Sequence, residues 1–415
     1  MRSVTGRARG TFMANSHTLL LFLLVPTVVL AGVHYFFYRR LVKAMAFKPR
    51  TRRILTGVLV GLWLSLPAGM ILGRFLGHPW RYLVAWPGFM WMGMMVVILT
   101  LLLAIDLGRL ARFVYRRFSP ATVPANPERR LFLTRAMGAG VLATTVLATG
   151  GAMGAALRTP GVRRVRVVLP NLPPGLDGLV IAQFTDLHVG EIVTRPFVEA
   201  VTRRINDLKP DLIVFTGDLV DGSVPRLAPH TEPLGGLRSR FGTFFVSGNH
   251  DYYSGIGPWT REVERLGMRV LHNERVTLGT GADLLDLAGV DDSGTGRSRY
   301  PDGHGADVAK ALARPVPGRP VILLAHQPKE IHAAAKHGAS LVLSGHTHGG
   351  QIWPFRHLVG FAQPCIDGLH LHRGKTWIYV SRGTGFWGPP LRLFTPSEIT
   401  RIELRRSGEP EVGWA

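Results

Sequence analysis

Five short stretches between residues 186 and 350 carry side chains able to hold metal ions. They are Asp186-Leu187-His188, Gly217-Asp218-Leu219-Val220-Asp221, Gly248-Asn249-His250-Asp251, the lone His326, and Gly345-His346-Thr347-His348-Gly349-Gly350. Mixed imidazole and carboxylate donors without thiolate suit Fe, Mn or Zn, whereas an all-oxygen set would suit Mg or Ca. Asp186, His188, Asp218, Asn249, His326, His346 and His348 offer more donors than one ion takes. Two ions sharing a carboxylate would use them all, with Asp218 as the bridge; a pair about 3.5 to 4 Å apart recurs in phosphoester cleavage. Water held between two such cations has its pKa lowered from 15.7 toward about 7, which makes a hydroxide nucleophile at neutral pH. The cations also offset charge on the phosphoryl oxygens.

Each stretch follows an apolar run rich in Val, Ile, Leu and Phe: 179–184, 212–215, 243–246, 321–324 and 341–343. Such runs, ending in Gly, Asp, Asn or His, predict buried strands. Helical character at 195–208, 260–266 and 330–337 alternates with them, so an α/β fold follows. Loops at the carboxyl ends of strands in open α/β sheets converge on one crevice, which lets residues far apart in sequence share a site.

This ordered set, D-x-H, G-D-x-x-D, G-N-H-D, a lone His and G-H-x-H, resembles the calcineurin-like metallophosphoesterase superfamily over about residues 176–404. Ser381-Arg382-Gly383-Thr384-Gly385 and Pro396-Ser397-Glu398-Ile399 resemble its bacterial subgroup tethered to, or exported across, the membrane. The resemblance implies that one metal takes Asp186, His188, Asp218 and His348, and the second takes Asp218, Asn249, His326 and His346. It also implies a four-layer α/β/β/α fold of two packed sheets flanked by helices. The sequence departs from the pattern at none of these positions. His250 follows the ligand Asn249 and is assigned to neither metal. It is therefore the candidate general acid for the leaving alkoxide, with Asp251 orienting its imidazole.

The formal net charge of +22 is unevenly spread. Residues 1–158 hold 20 Lys and Arg against only Asp106 and Glu128, while the rest of the chain holds 29 against 25 acids. The excess falls on the apolar part of the chain, where it reports membrane topology, and no nucleic-acid partner is expected. Four apolar runs there, about 19–37, 54–72, 83–105 and 136–157, contain no Asp, Glu, Lys or Arg. Each is long enough to cross a hydrocarbon core of roughly 30 Å. The loops 39–53 and 106–135 are the richest in basic residues; Arg74 and Arg81 alone serve the loop between the second and third runs, and Arg2, Arg7 and Arg9 the N-terminal tail. By the positive-inside rule the two rich loops are cytoplasmic and everything after the fourth run lies outside. Arg129-Arg130-Leu131-Phe132-Leu133, before that run, resembles a twin-arginine export signal, which agrees with that orientation. No A-x-A site follows, so retention is favoured over cleavage.

The expectation is a multi-pass protein of a bacterial inner or plasma membrane, with a membrane region over 1–158 and a metallophosphoesterase domain over 159–415 facing the extracytoplasmic side. The leading activity is that of a phosphodiesterase or pyrophosphatase on a lipid-linked or nucleotide-linked phosphoester. Relatives include enzymes that split the diphosphate of UDP-linked acylated glucosamine, a cytoplasmic substrate at odds with an outside domain. The alternatives are a phosphomonoesterase, or a membrane scaffold or transporter with a regulatory metal domain. The intact ligand set argues against a dead domain, and the uncharged spans argue against ion transport.

Other residues weigh less. Cys365 is the only cysteine, which excludes an internal disulfide or thiolate cluster. Asp221 fits a turn or a partner of a ligand, and Gln351 a loop hydrogen bond. Gly150 and Gly154 form a weak G-x-x-x-G contact pair. His370 and His372 alternate like strand residues, with Asp367 the one acid nearby for a second metal site. Arg382, Trp387 and Arg392 fit surface packing or contact with the substrate.

Overall fold

A computed structural model describes residues 16–72, 76, 80–118, 126–294 and 304–414. They divide into two compact units, Met1–Leu147 and Ala148–Ala415.

The first unit is helical. Helix α1 (Ser16–Phe37) widens into a π-helical turn at Tyr38–Lys43 and is followed by α2 (Pro49–Leu72), α3 (Trp80–Phe118) and most of α4 (Pro127–Leu157). The four apolar runs lie on these helices. Among the described residues, Leu83–Phe118 and Pro127–Leu157 are the two segments long and apolar enough to cross a membrane. Phe37, Leu41, Trp91, Ile98 and Leu102 form the core of the unit. Within it, Trp91 Nε1 donates to His34 Nε2 at 2.8 Å, and Arg40 pairs with Asp106. Arg2, Arg7, Arg9 and Arg74, which bear on orientation, lie outside the described residues.

The second unit begins with the last ten residues of α4 and holds two sheets. The first contains β1 (Gly161–Val168), β2 (Val180–Phe184), β3 (Leu212–Phe215), β4 (Thr243–Phe245) and β5 (Met268–Val270). The second contains β6 (Glu274–Thr280), β7 (Asp283–Gly289), β8 (Val321–Leu324), β9 (Leu341–Ser344), β10 (Gly368–His372) and β11 (Thr376–Val380). The chain then returns to the first sheet as β12 (Glu398–Arg405) and β13 (Glu411–Trp414). The orders are β13-β1-β12-β2-β3-β4-β5 and β10-β11-β9-β8-β7-β6. Strands β2 to β5 run parallel, as do β7, β8, β9 and β11. The connecting helices are α5 (Arg195–Asp207), α6 (Val224–Thr231), α7 (Asn249–Ser254), α8 (Ile256–Arg265), α9 (Val308–Ala311), α10 (Ile331–Lys336) and α11 (Arg356–Ala362).

Successive strand residues point to opposite faces, and both faces are apolar here. Ala182, Ile213 and Phe245 pack with Val201 of α5 and Val263 of α8. Their neighbours Ile181, Val214 and Phe244 pack against Leu287, Ile322, Leu343 and Tyr379 of the second sheet. Leu323, Val342 and Ile378 face Ala311 of α9 and Ile331 of α10. This burial on both faces explains why the parallel strands appear in the sequence as continuous apolar runs.

Two polar ties join the sheets close to the strand ends that carry the site. Gln183 Nε2 on β2 donates to Ser344 O on β9 at 3.0 Å. Tyr379 on β11 donates to buried Glu398 on β12 at 2.5 Å, and Arg163 on β1 lies 3.2 Å from the same carboxylate. The P-S-E-I motif therefore supplies a structural anchor.

Candidate metal centre

All five stretches lie just beyond the carboxyl ends of parallel strands: Asp186 and His188 after β2, Asp218 after β3, Asn249 after β4, His326 after β8, and His346 and His348 after β9. Hydrogen bonds between the loops lock them together. Asp186 N–H donates to Gly217 O at 2.9 Å and His188 N–H to Asp218 O at 3.2 Å. His346 N–H donates to the Asp186 carboxylate, 3.0 Å from Oδ2, and His250 N–H to Asp218 Oδ1 at 2.8 Å. The backbone pays for this convergence: Asp186, His188, Asp218, His346 and His348 all have positive φ, at 53°, 50°, 58°, 70° and 51°. Non-glycine residues in that region cost of order 1–3 kcal/mol each and persist only where the surroundings over-determine them. Gly217 has φ 94°, and a Cβ there would lie 2.6 Å from Gly248 N and 2.8 Å from His326 Nδ1, so no larger residue fits.

Two donor groups result. Asp186, His188 and His348 converge in one, and Asp218, His326 and His346 in the other, with the donor atoms of each within 4.8 Å of one another. His188 Nε2 lies 3.1 Å from His348 Nε2, and His348 Nε2 lies 3.4 Å from Asp186 Oδ1. In the second group His326 Nε2 lies 3.1 Å from His346 Nδ1 and 3.2 Å from Asp218 Oδ2. His326 Nδ1 is 2.8 Å from Thr216 O, so that nitrogen carries a proton and Nε2 is the atom aimed into the site. Spacings of 3 to 4 Å between donors are those of atoms about 2.0–2.2 Å from a shared cation. The buried Asn249 Oδ1 has no hydrogen-bond partner, as an atom meant for a metal would. The donor chemistry and this orphaned acceptor fit bound cations.

The electrostatics agree. Burial alone would depress the His188 imidazole, but Asp221, Asp218 and Asp186 raise it to about 9. Burial would likewise depress His326, yet Asp218 lifts it well above its ordinary value. His346 is lowered to about 3 by burial and by His326, and His348 well below the usual range by burial and Arg392. Burial pushes Asp186 up, whereas His326 overrides burial to hold Asp218 well below the carboxylate range. Perturbed groups packed this closely mark functional sites.

The expectation for Asp251 requires correction. Its carboxylate accepts from Gly248 N–H at 2.8 Å, Asp218 N–H at 3.0 Å and Leu219 N–H at 2.9 Å. It therefore fixes the loops carrying Asp218 and Asn249 and does not orient His250; burial and Asp218 raise it to about 7. The partner of His250 is Asp221, whose Oδ1 lies 2.6 Å from His250 Nδ1 and 3.3 Å from His188 Nδ1. Burial would raise Asp221, but His188 and His250 hold it far below the usual carboxylate range. The signal for this role was the second acid of the G-D-x-x-D motif, which returns beside the first.

The remaining candidates separate cleanly. Gln351 spends its amide on Trp387 O at 2.8 Å, Pro389 O at 3.0 Å and Trp387 N–H at 2.9 Å. Arg392 is buried, donates to Arg382 O at 2.6 Å and His348 O at 3.0 Å, and sits 3.2 Å from His348 Nδ1; it braces the loop that carries His348. Arg382 pairs with Asp367 at 2.6 Å, so that acid does not join His370 and His372 in a metal site. Trp387 is half-exposed, its ring centroid 6.1 Å from that of His250. A further group, His272, Asp291 and His304, lies outside the centre and meets α7 through Tyr252, whose hydroxyl is 3.0 Å from His304 Nδ1.

Residues 179–350 match the family model described as calcineurin-like phosphoesterase. A "transmembrane protein with metallophosphoesterase domain" from Danio rerio is 34% identical over 400 residues, covering 93% of this chain and 89% of the relative. The chain belongs to the calcineurin-like metallophosphoesterase family. An uncharacterized metallophosphoesterase of Campylobacter jejuni is 30% identical over 390 residues, covering 93% of this chain and 98% of the relative. Among solved structures, GAP50, the anchor in the inner membrane complex of Plasmodium, has a TM-score of 0.36 and 14% identity over 57% of this chain and 84% of that one, a distant likeness only. This metallophosphoesterase is a metal-dependent phosphoester hydrolase with two sheets and clustered metal-binding residues.

Proposed function

We propose that the chain is a membrane-anchored phosphodiesterase or pyrophosphatase whose centre takes two metal ions, drawn from Mn, Fe and Zn. Asp186, His188, Asp218 and His348 would hold one, and Asp218, Asn249, His326 and His346 the other. The observation that carries this reading is the position of Asp218: its Oδ2 lies 3.7 Å from His188 Nε2 and 3.2 Å from His326 Nε2, between the two donor groups. Such ions, when bound, activate water near neutral pH and offset charge on phosphoryl oxygens. His250 delivers a proton to the leaving oxygen from Nε2, while Asp221 at 2.6 Å holds Nδ1 and fixes the ring. Asp251 keeps the Asp218 and Asn249 loops in register through its three backbone contacts.

The three buried clusters support four α/β/β/α layers in a domain over 159–415. Helices α1 to α4 and the basic loops 39–53 and 106–135 support a four-span membrane region over 1–158, with the catalytic domain on the extracytoplasmic side. That side favours a lipid-linked phosphoester over a nucleotide-linked one. The test is a panel of mono-, di- and pyrophosphate esters offered to the purified full chain with Mn, Fe or Zn, with Asp218→Asn as control. Turnover confined to monoesters, or independent of Asp218, refutes the proposal.

A further inference from the structure

We infer that the loops rimming the metal centre form a docking surface for the lipid bilayer, so that the centre works on phosphoesters borne by membrane lipids. This rests on the membrane-anchored hydrolase reading above and adds the surface that brings enzyme and substrate together.

The rim is built from two segments knitted by Gln351. One runs from Gln351 through α11, and the other spans residues 385–395. Besides the Gln351 amide contacts, Trp353 N–H donates to Leu393 O at 3.2 Å and Leu393 N–H to Gln351 O at 3.0 Å. Together they expose Trp353, Phe355, Phe361, Trp387 and Phe394, with Phe361 and Phe394 at 89% and 76%. No residue of α11 is buried. Large apolar side chains crowded at one rim mark an interaction surface.

The neighbouring α4 identifies what covers the rim. It is one of the two segments apolar enough to cross a membrane, and its last ten residues belong to the same compact unit as the metal centre. Arg392 N–H donates to Ala152 O on that helix at 2.9 Å, and Ala156 packs in one cluster with Phe386. Ala152 and Ala156 lie in the last turns of α4, so the 385–395 loop packs against the end of the apolar run 136–157. The direction also agrees. Thr159, just past the end of α4, lines a surface hollow with Arg203, Asn206 and Asp207, at the edge where β3 begins. Along its last turns α4 thus passes from the edge carrying the metal centre to the opposite edge, so its apolar upstream part departs from the metal-centre edge. Trp and Phe on such an edge are the side chains that settle at the headgroup level.

The test uses the full chain in phosphatidylcholine nanodiscs, with Cys365→Ser as background and a nitroxide label at Phe394→Cys or at Lys209→Cys, the latter on the opposite edge. The expected result is a label at 394 shielded from a water-soluble nickel chelate and open to dissolved oxygen, with the reverse at 209. Equal exposure of both labels to the chelate overturns the inference. Two esters with one leaving group, hexadecyl p-nitrophenyl phosphate in the bilayer and methyl p-nitrophenyl phosphate in solution, supply the functional arm. The double variant Phe361→Ser, Phe394→Ser should lose about tenfold in turnover of the first and little of the second; equal turnover of the first by both proteins also overturns it. If neither ester is cleaved by the metal-loaded wild type, the hydrolase reading fails, while the labels still decide the docking.

Discussion

Asp221 Oδ1 lies 2.6 Å from His250 Nδ1 and 3.3 Å from His188 Nδ1. One carboxylate thus orients both the proposed proton donor and a proposed metal ligand. Replacing His250 by Ala should slow esters with poor alkoxide leaving groups by about 10²–10³-fold and activated aryl esters far less, because only the former need a proton. Steady-state rates over a leaving-group series check this; equal losses across the series remove the acid role. Asp221→Asn should add a loss of metal affinity, since it also touches His188.

Asp251 should behave differently from its neighbour. Its three backbone N–H contacts predict that Asp251→Asn costs about 1–3 kcal/mol of stability by leaving a buried donor unpaired. Thermal melts should record a lowered transition, and the leaving-group dependence of the remaining activity should match wild type. A steeper dependence would restore Asp251 to the proton-transfer step.

Metal affinity should rise with pH. His188, raised to about 9 in the metal-free centre, must shed its proton to donate to a metal, and so must His326, which is also raised. Titration calorimetry in buffers of different ionisation enthalpy should detect protons released on loading and tighter binding between pH 6 and 9. In metal-stripped protein the sign is opposite: the raised His188 stabilises the fold below its ordinary 6.5, and that contribution is lost as pH rises through about 9. Affinity that does not vary with pH would contradict the protonation states.

The strands that position the donors were legible because they are buried on both faces and so form unbroken apolar runs; β2, β3, β4, β8 and β9 all lie where those runs predict them, within a residue or two. Strand β1, by contrast, carries Arg163 on one face and Arg164 and Arg166 on the other and gives no such run. The donors themselves were legible from residue type and order. What was not legible is which carboxylate turns toward which imidazole: Asp251 is adjacent to His250 in sequence, yet the first turn of α7 directs it to backbone N–H groups, and Asp221 approaches from another loop. The bracing of His348 by Arg392 joins residues 44 apart and is likewise a product of tertiary folding.

The central claim is that Asp218 serves two metal ions at once, its Oδ2 lying between His188 and His326. The most direct measurement is metal content by mass spectrometry on the purified full chain and its Asp218→Asn variant, read beside diester turnover. Two ions per chain in the wild type, falling to one or fewer in the variant with turnover reduced by about 10³-fold or more, is the predicted result. A variant that keeps both ions and its turnover would contradict the account.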